Sequence, residues 1–460
     1  MSNLPVRLAA VDLPTFDLPR QKPMVPAATY LRRIEALYGA MQDRRLGALV
    51  VYGDREHFAN MAYLTGFDPR WEESLLILVP GRAPRLVVGN EDVSYAQVVP
   101  FELDIVRLPK FSLPGQPDPG DVALSDVLAE AGLADVPAVG LVGWKFWSSE
   151  NAVEWIDVPH FIVREVSALV STVENATDIL IHPAKGLRLK SDADQIAAFE
   201  FAATHASGCI GRLISGIRPG MTELEASQLM QPVLLPFSYH PTMLSGPNAS
   251  LGVASAGDRL LQVGDPVSAG LGYWGGNTAR AGFLVENASQ LPNGAGDYVE
   301  RLAAPYYDTA AAWYETLRIG MTAGELYDVT FSRIGDPFYG VYLNPGHFIH
   351  LDEWPISPVI KGSAVRFRSG NALQLDIIPI TGSVYHTAQI EDGVVLADEE
   401  LRGALADCYP QAWARIQSRR EMLRTTFGIS VHNEVLPLSD LAGYFPPFWL
   451  SPQMSLIRTP

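Results

Sequence analysis

The first part of the chain alternates between a helical and an extended pattern of apolar residues. Residues 28–46 place apolar side chains at helical spacing, at Leu31, Ile34, Leu37 and Met41, which predicts an amphipathic helix. GALVVYGD follows as a short buried strand, and LLILVP and PRLVV are two further β-rich runs on either side of a Gly-Arg-Ala-Pro turn. This alternation of helices and strands predicts an α/β domain.

The second part of the chain contains an internal repeat. IRPGMTELE (217–225) recurs as LRIGMTAGE (317–325), and the copies share Arg, Gly, Met, Thr and Glu at matching places. Each Thr-x-x-Glu is typical of a capping box that begins a helix, and each preceding Gly is typical of a helix end. A duplicated unit of helix, turn, helix and strands predicts a pseudo-twofold α+β domain with a site between its halves.

Composition restricts the possible partners and compartments. The 460 residues carry 34 basic and 51 acidic side chains and a net charge of -17, which argues against a nucleic acid or an anionic membrane as partner. Only Cys209 and Cys408 occur, too few for a disulfide framework and consistent with a reducing compartment. Because the chain shows neither a signal-peptide pattern nor an apolar run of about 18 residues, we expect a cytoplasmic protein without membrane spans.

Four segments of the second part carry candidate chemistry in a fixed order. They are GLGYWGGNTARAGFLV (270–285), NPGHFIHLDE (344–353), LQLDIIP (373–379) and AQIEDGVVL (388–396). This order resembles the creatinase, Xaa-Pro aminopeptidase and methionine aminopeptidase family, peptidase family M24. The resemblance implies an α/β N-terminal creatinase-like or prolidase-like domain with its linker (1–180) and a C-terminal pita-bread domain (181–460). Within these ranges the resemblance of the first domain covers about residues 28–165, and STVENATDILIHPAKGLRLKSDADQ (171–195) is similar to the family's linker.

The resemblance also implies five metal-ligand positions, and this chain departs from the family pattern at three of them. Metal-dependent members hold two divalent ions with Asp, Asp, His, Glu and Glu, whereas this chain has Gly270, Asn277, His347, Asp376 and Glu391 at these places. Glycine offers no side-chain ligand, and a neutral amide binds hard cations more weakly than a carboxylate. We therefore expect no conventional dinuclear site. The default expectation is no cofactor, and the alternative is a single Mn, Fe or Zn ion on His347, Asp376 and Glu391.

Histidines are the natural proton carriers at neutral pH, yet the family's His before the first Asp has no counterpart in residues 245–265. A further family His corresponds to Trp354. The resulting candidates are His347, Glu391 and His240 as catalytic residues and Asn277, Trp354 and His350 as substrate-binding residues. Structural roles remain open for His240, His350 and His386, and Asp376 is equally consistent with a buried carboxylate satisfied by backbone donors.

The function that these residues favour is hydrolysis of a C–N bond in a small amide, amidino or Xaa-Pro-like substrate. The alternatives are a non-catalytic pita-bread protein that binds a ligand or partner, and a lyase that acts on a small zwitterion. The resemblance implies a homodimer, because creatinases extend residues from the place of Phe67, Arg70 and Trp71 into a partner's active site. It also implies a structural role for Arg280, paired with a neighbouring carboxylate.

Overall fold

The computed structural model describes residues 6–13, 18–120 and 122–459. The chain forms two compact units, one from residues 24–189 and one from the remaining described residues. The mixed α and β fold expected from the sequence is confirmed. Among the described residues, no helix is long and apolar enough to cross a membrane.

The helices within the described residues are α1 (Ala27–Asp43), α2 (Ala59–Thr65), α3 (Asp92–Tyr95), α4 (Leu124–Glu130), α5 (His160–Leu169), α6 (Asp178–Ile181), α7 (Ala193–Gly216), α8 (Glu223–Gln228), α9 (Ala304–Thr316), α10 (Ala323–Ile334), α11 (Glu399–Cys408) and α12 (Pro410–Thr425). The strands are β1 (Val6–Ala10), β2 (Ala48–Gly53), β3 (Ser74–Leu78), β4 (Arg85–Val88), β5 (Asp104–Arg107), β6 (Ala138–Val142), β7 (Thr172–Asn175), β8 (Phe237–Ser245), β9 (Pro266–Tyr273), β10 (Gly276–Phe283), β11 (His347–Phe348), β12 (Ala372–Asp376), β13 (Gln389–Leu396), β14 (Val435–Pro437) and β15 (Met454–Arg458).

The first unit contains a six-stranded mixed sheet in the order β5-β4-β3-β2-β6-β7. Strands β2 and β3 are buried at every position, as expected for continuous apolar runs. Helix α1 buries Ile34, Leu37 and Met41, but Leu31 is 49% exposed and Tyr30 takes the fourth buried position. The prediction for Leu31 was wrong because a spacing of three from Ile34 leads to Leu31 and a spacing of four leads to Tyr30, and both spacings are compatible with one helix face. Tyr30 also lies seven residues before Leu37 and is the residue that is buried.

The segment that was expected to be a linker contributes to this sheet. Residues 172–175 form β7, which pairs in parallel with β6, and the long helix α7 begins only at Ala193, after an Asp192 side chain that accepts a hydrogen bond from the amide of Gln195. The expectation of a simple linker over 171–195 was therefore wrong in its first part. A run of four residues whose burial increases from one end to the other is too short for periodicity to reveal it.

The second unit contains an antiparallel sheet in the order β11-β12-β13-β10-β9-β8, with β14 also paired to β13. Helix α7 packs on β9 and β10. The hairpin between these strands turns at Gly275, with φ of 84°, and a Cβ at Gly276 would lie 2.3 Å from the amide nitrogen of Ala203 in α7. Glycine at both positions therefore lets the hairpin lie directly on the helix.

Strand β1 pairs with the last strand, β15, in antiparallel register from Val6 opposite Arg458 to Ala10 opposite Met454. The first described residues thus belong to the second unit, although the sequence analysis included them in the N-terminal domain. Nothing local in VRLAA distinguishes a partner far away in the sequence from a nearby one.

Both copies of the repeated motif form the capping box that the sequence predicts. Thr222 accepts from the amide of Glu225, Thr322 accepts from the amide of Glu325, and each Glu side chain accepts from the amide of its Thr. The backbone bonds also correspond: the amide of Gly220 donates to Leu261 and that of Gly320 to Phe367. The two motifs have the same local structure, whereas pseudo-twofold symmetry of the whole domain stays a prediction.

Candidate active site

The register of the antiparallel sheet brings the predicted site residues onto one face. Ala279 pairs with both Gly270 and Glu391, and Glu391 also pairs with Asp376. Side chains two residues apart along a strand share a face, so Asn277 lies on the face of Ala279. His347 pairs with Gln374, two residues from Asp376, and therefore belongs to the same face.

Three carboxyl groups and one imidazole meet on this face. His347 Nε2 lies 3.4 Å from Glu353 Oε1 and 3.9 Å from Asp376 Oδ2. Ligand atoms of His347, Glu353 and Glu391 all lie within 4.8 Å of one another. We call His347, Glu353, Asp376 and Glu391 the acidic cluster.

The surroundings of His347 fix its ring and its proton. Its Nδ1 lies 2.9 Å from the carbonyl oxygen of Phe348, and since a carbonyl only accepts, Nδ1 carries the hydrogen. The Trp354 ring stacks on the imidazole with centroids 4.0 Å apart. Burial lowers the pKa of His347 to about 4, so the ring is neutral and its Nε2 lone pair, which has no hydrogen-bond partner, faces the carboxyl groups.

The carboxyl groups of the cluster all resist ionisation. Burial and, secondarily, Glu391 raise the pKa of Glu353 to about 8, and burial and Glu353 raise the pKa of Asp376 to about 7. The pKa of Glu391 is raised well above its ordinary value by burial and by Asp376. Three acids in one dry site need a compensating positive charge or bound protons.

The Gly270 position is occupied by a neighbouring side chain. A Cβ at Gly270 would lie 2.5 Å from the Tyr239 hydroxyl oxygen, so this hydroxyl fills the space where a ligand side chain would start. Burial first, then Glu391, Glu353 and Asp376, raise the pKa of Tyr239. The tyrosine is therefore a neutral phenol beside the acids and no substitute for an anionic ligand.

Asn277 is likewise unsuited to bridge two ions. Its Oδ1 accepts a 2.8 Å hydrogen bond from Ser238 Oγ, which orients the amide, and Gln374 Nε2 lies 3.2 Å from Glu391 Oε1. The donor set of one imidazole lone pair and two or three carboxylates fits one divalent ion such as Mn, Fe or Zn. It does not fit two, because the bridging carboxylates that a dinuclear site requires are missing at Gly270 and Asn277.

A cavity of about 670 Å³ opens beside the acidic cluster. Glu353, Asp376 and Glu391 line it, together with Tyr239 and Trp354. One wall is the loop 246–257, which the buried carboxylate of Glu223 holds through hydrogen bonds from Ser245, Asn248 and Gly257.

Two of the predicted histidines lie elsewhere. The His240 ring is exposed, with Nε2 2.6 Å from Ser255 Oγ, and His350 is buried edge-on against Phe199, with centroids 5.0 Å apart. Neither is among the described residues that line the cavity, so the geometry lends no support to His240 as a catalytic residue or to His350 as a substrate contact. His386, for which the sequence favoured a structural role, does line the cavity.

Sequence reasoning missed Glu353 and Tyr239. Glu353 directly precedes Trp354, the position of the absent further family His, so an acidic residue beside the place of a lost histidine was the available signal. Tyr239 had none, because its approach to Gly270 depends on an irregular register between β8 and β9. The structural role expected for Arg280 is confirmed: it donates to Asp392 Oδ2 at 2.7 Å, and both side chains are fully buried.

Known structures share this fold, although the sequence matches no protein-family model and no curated protein. A Xaa-Pro dipeptidase from Bacillus anthracis is 16% identical with a TM-score of 0.61, over 81% of this chain and 96% of that one. An X-Pro aminopeptidase from Thermotoga maritima is 15% identical with a TM-score of 0.63, over 80% and 95%. The prolidase from Pyrococcus furiosus is 17% identical with a TM-score of 0.59, over 78% and 96%. The expected resemblance to this family is confirmed for the fold.

Proposed function

We propose that this protein is a hydrolase that cleaves the C–N bond of a small amide, amidino or Xaa-Pro-like substrate at the acidic cluster. The observation that carries the proposal is the His347 Nε2 without a hydrogen-bond partner, which faces Glu353 and Asp376, two carboxyl groups that line the cavity. Groups with strongly shifted pKa values in a cleft mark functional sites. The fold shared with dipeptidase and aminopeptidase structures supports the same conclusion.

A single divalent ion fits this cluster, with Mn, Fe and Zn as the candidates. His347 Nε2, Glu353 and Glu391 would hold it, and Asp376 is the remaining carboxylate within reach. When bound, such an ion polarises a carbonyl oxygen and activates water near neutral pH. The set differs from the one expected from the sequence, since Glu353 takes the place of Asp376 as a ligand.

The chain's own side chains supply the positioning and the proton transfers. The Phe348 carbonyl and the Trp354 ring hold the His347 lone pair towards the site, and Gln374 orients Glu391. Hydrolysis forms a bond from water oxygen to the substrate carbon and breaks the C–N bond. Asp376 is the carboxyl group outside the proposed ligand set, and burial raises its pKa to about 7. As a carboxylate it accepts the proton of the water, and as a carboxylic acid it donates that proton to the leaving nitrogen.

The partners that we propose are a small-molecule substrate and a second copy of the chain. Trp354, which lines the cavity, is the proposed substrate contact, whereas Asn277 is fully buried and is not among the described lining residues, so it is not proposed as one. Trp71, 61% exposed, is a candidate for the dimer contact. We also propose a cytoplasmic location and no nucleic-acid partner, which the net charge of -17 and the presence of only two cysteines support. Light scattering of the purified protein tests the dimer.

The function is tested with a panel of small amides, amidino compounds and Xaa-Pro dipeptides, by following release of the amine product with mass spectrometry. We expect at least one class to be hydrolysed, and we expect Glu391→Gln to abolish release with almost no change in melting temperature. Glu300→Gln, an exposed carboxyl on a surface helix, is the matched control. Equal release by the wild type and Glu391→Gln would remove Glu391 from the mechanism.

A further inference from the structure

The cavity beside the acidic cluster joins an acidic floor to apolar walls. Val253, Leu343, Ile378 and Ile380 line it above the carboxyl groups. Val253 is 85% exposed, Leu343 45% and Ile380 51%. Apolar side chains that stand open to water around a binding cavity gain free energy when a ligand covers them. The walls therefore suit a substrate with an apolar group beside the bond that is cleaved.

The same cavity offers no cation to a substrate anion. Among the described residues that line it, none is Lys or Arg, and burial lowers the pKa of the lining His386, which keeps this ring uncharged at neutral pH. Arg280 is engaged with Asp392 and with backbone carbonyls, and Arg259 is paired with Asp265. The carboxylates of the acidic cluster already offset the charge of the divalent ion proposed there, so a substrate carboxylate would add a negative charge for which the lining side chains hold no positive partner. Unpaired charges in such sites are strongly disfavoured.

A free Xaa-Pro dipeptide always brings such a carboxylate, because its C-terminus is ionised at neutral pH. A dipeptide amide has the same shape and the same amino terminus but ends in a neutral group. The apolar side chains and the carboxyl groups of the cavity are compatible with the neutral end of the amide, and they disfavour binding of the ionised end of the free dipeptide. The difference between these two molecules thus isolates the charge of the substrate's end.

We propose that the cavity selects neutral or cationic substrates with an apolar group, such as blocked dipeptide amides, and rejects substrates with a free carboxylate. Leu343 and Ile380 are the specificity-determining residues of this proposal, since both line the cavity and both are partly exposed, so a basic side chain at either position would add a cation to the cavity wall. This inference rests on the proposed function, because it names the substrate class of the same site.

The test compares leucyl-proline with leucyl-prolinamide by calorimetric titration. Binding is measured in the wild type and in Glu391→Gln, so that the readout does not depend on turnover. We expect the amide to bind at least about tenfold more tightly, which corresponds to about 1.4 kcal/mol. Leu343→Arg is expected to shift the ratio of the two affinities towards leucyl-proline by a similar factor. Leu343→Gln, which adds a polar but uncharged side chain, is expected to leave this ratio unchanged.

Each result decides the inference separately from the hydrolase proposal. Tighter binding of the acid, equal binding of both, or no binding of the amide would overturn the selection of uncharged ends. An unchanged preference in Leu343→Arg would remove Leu343 as a specificity residue. Preference for the amide without any hydrolysis in the panel would reject the proposed function alone, and hydrolysis with preference for the acid would reject this inference alone.

Discussion

Gly270→Ala tests whether the Tyr239 hydroxyl occupies the space that a side chain at position 270, the family's first metal-ligand position, would need. The added Cβ would lie 2.5 Å from that oxygen, 3.3 Å from the Ala279 Cβ and 3.4 Å from Thr242 Oγ1. Since non-bonded heavy atoms settle at roughly 3.5 Å or more, the tyrosine must move by about 1 Å. Overpacking of this kind destabilises a folded core by about 1–3 kcal/mol, and we expect a loss of this size in the free energy of unfolding.

A double-mutant cycle assigns the loss to the hydroxyl. Tyr239→Phe removes the oxygen that the new methyl group would meet, so Gly270→Ala is expected to cost at least about 1 kcal/mol less in the Tyr239→Phe background, within the range of contacting pairs. The assay is urea unfolding at neutral pH in the presence of a chelator. One common dependence of the free energy of unfolding on urea concentration is used for the wild type, the two single variants and the double variant.

The matched control is Gly403→Ala in α11, where an added Cβ meets nothing within 4 Å. Alanine is the better helix former by up to about 1 kcal/mol, so this variant should be neutral or more stable. Additive effects of Gly270→Ala and Tyr239→Phe, within about 0.5 kcal/mol, would refute the reasoning. The space at Gly270 would then be free for a ligand side chain.

Three further predictions concern the scaffold. Arg280→Met leaves the fully buried Asp392 without its partner and should lower the free energy of unfolding by about 3–5 kcal/mol in urea titration, whereas Arg55→Met at an exposed pair should change it by less than about 1 kcal/mol. Burial raises the pKa of Asp92 to about 6, so the folded state holds its proton longer than the unfolded chain and stability falls as pH rises from about 4 to about 6. In the Asp92→Asn variant, the decrease in the free energy of unfolding between these pH values should be smaller than in the wild type by about 1–3 kcal/mol. The same pH profile of the free energy of unfolding in both proteins would contradict the assignment to Asp92. Glu223→Gln weakens the cavity wall that this carboxylate holds, with an expected loss of about 1–3 kcal/mol and faster hydrogen exchange in that wall.

The fold was accessible from the sequence where local signals agree with tertiary structure. The capping boxes at Thr222 and Thr322 formed as predicted, because each satisfies its helix end with its own residues. The pairing of β1 with β15 was not accessible, since a five-residue strand with mixed burial has many equivalent partners. Local patterns specify elements, and only the packed core selects among their pairings.

Within the candidate site, the sequence predicted only the residues that lie on regular strands. His347, Asp376 and Glu391 meet because three paired strands bring them onto one face. Glu353 lies outside any regular strand, and its approach to His347 depends on the path of an irregular segment, which periodicity does not describe. His240 follows Tyr239 directly, and neighbouring residues of an extended strand point to opposite faces, so only one of them reaches the cluster.

The most direct test of the account is the metal content of the purified, untagged protein, measured by mass spectrometry after growth with added manganese, iron, cobalt and zinc. We predict about one ion per chain, lost in His347→Ala and in Glu353→Gln and retained in His240→Ala, whose ring lies outside the cluster. Two ions per chain, one ion that survives both cluster substitutions, or a wild type that holds no ion would contradict a mononuclear site built from His347, Glu353 and Glu391.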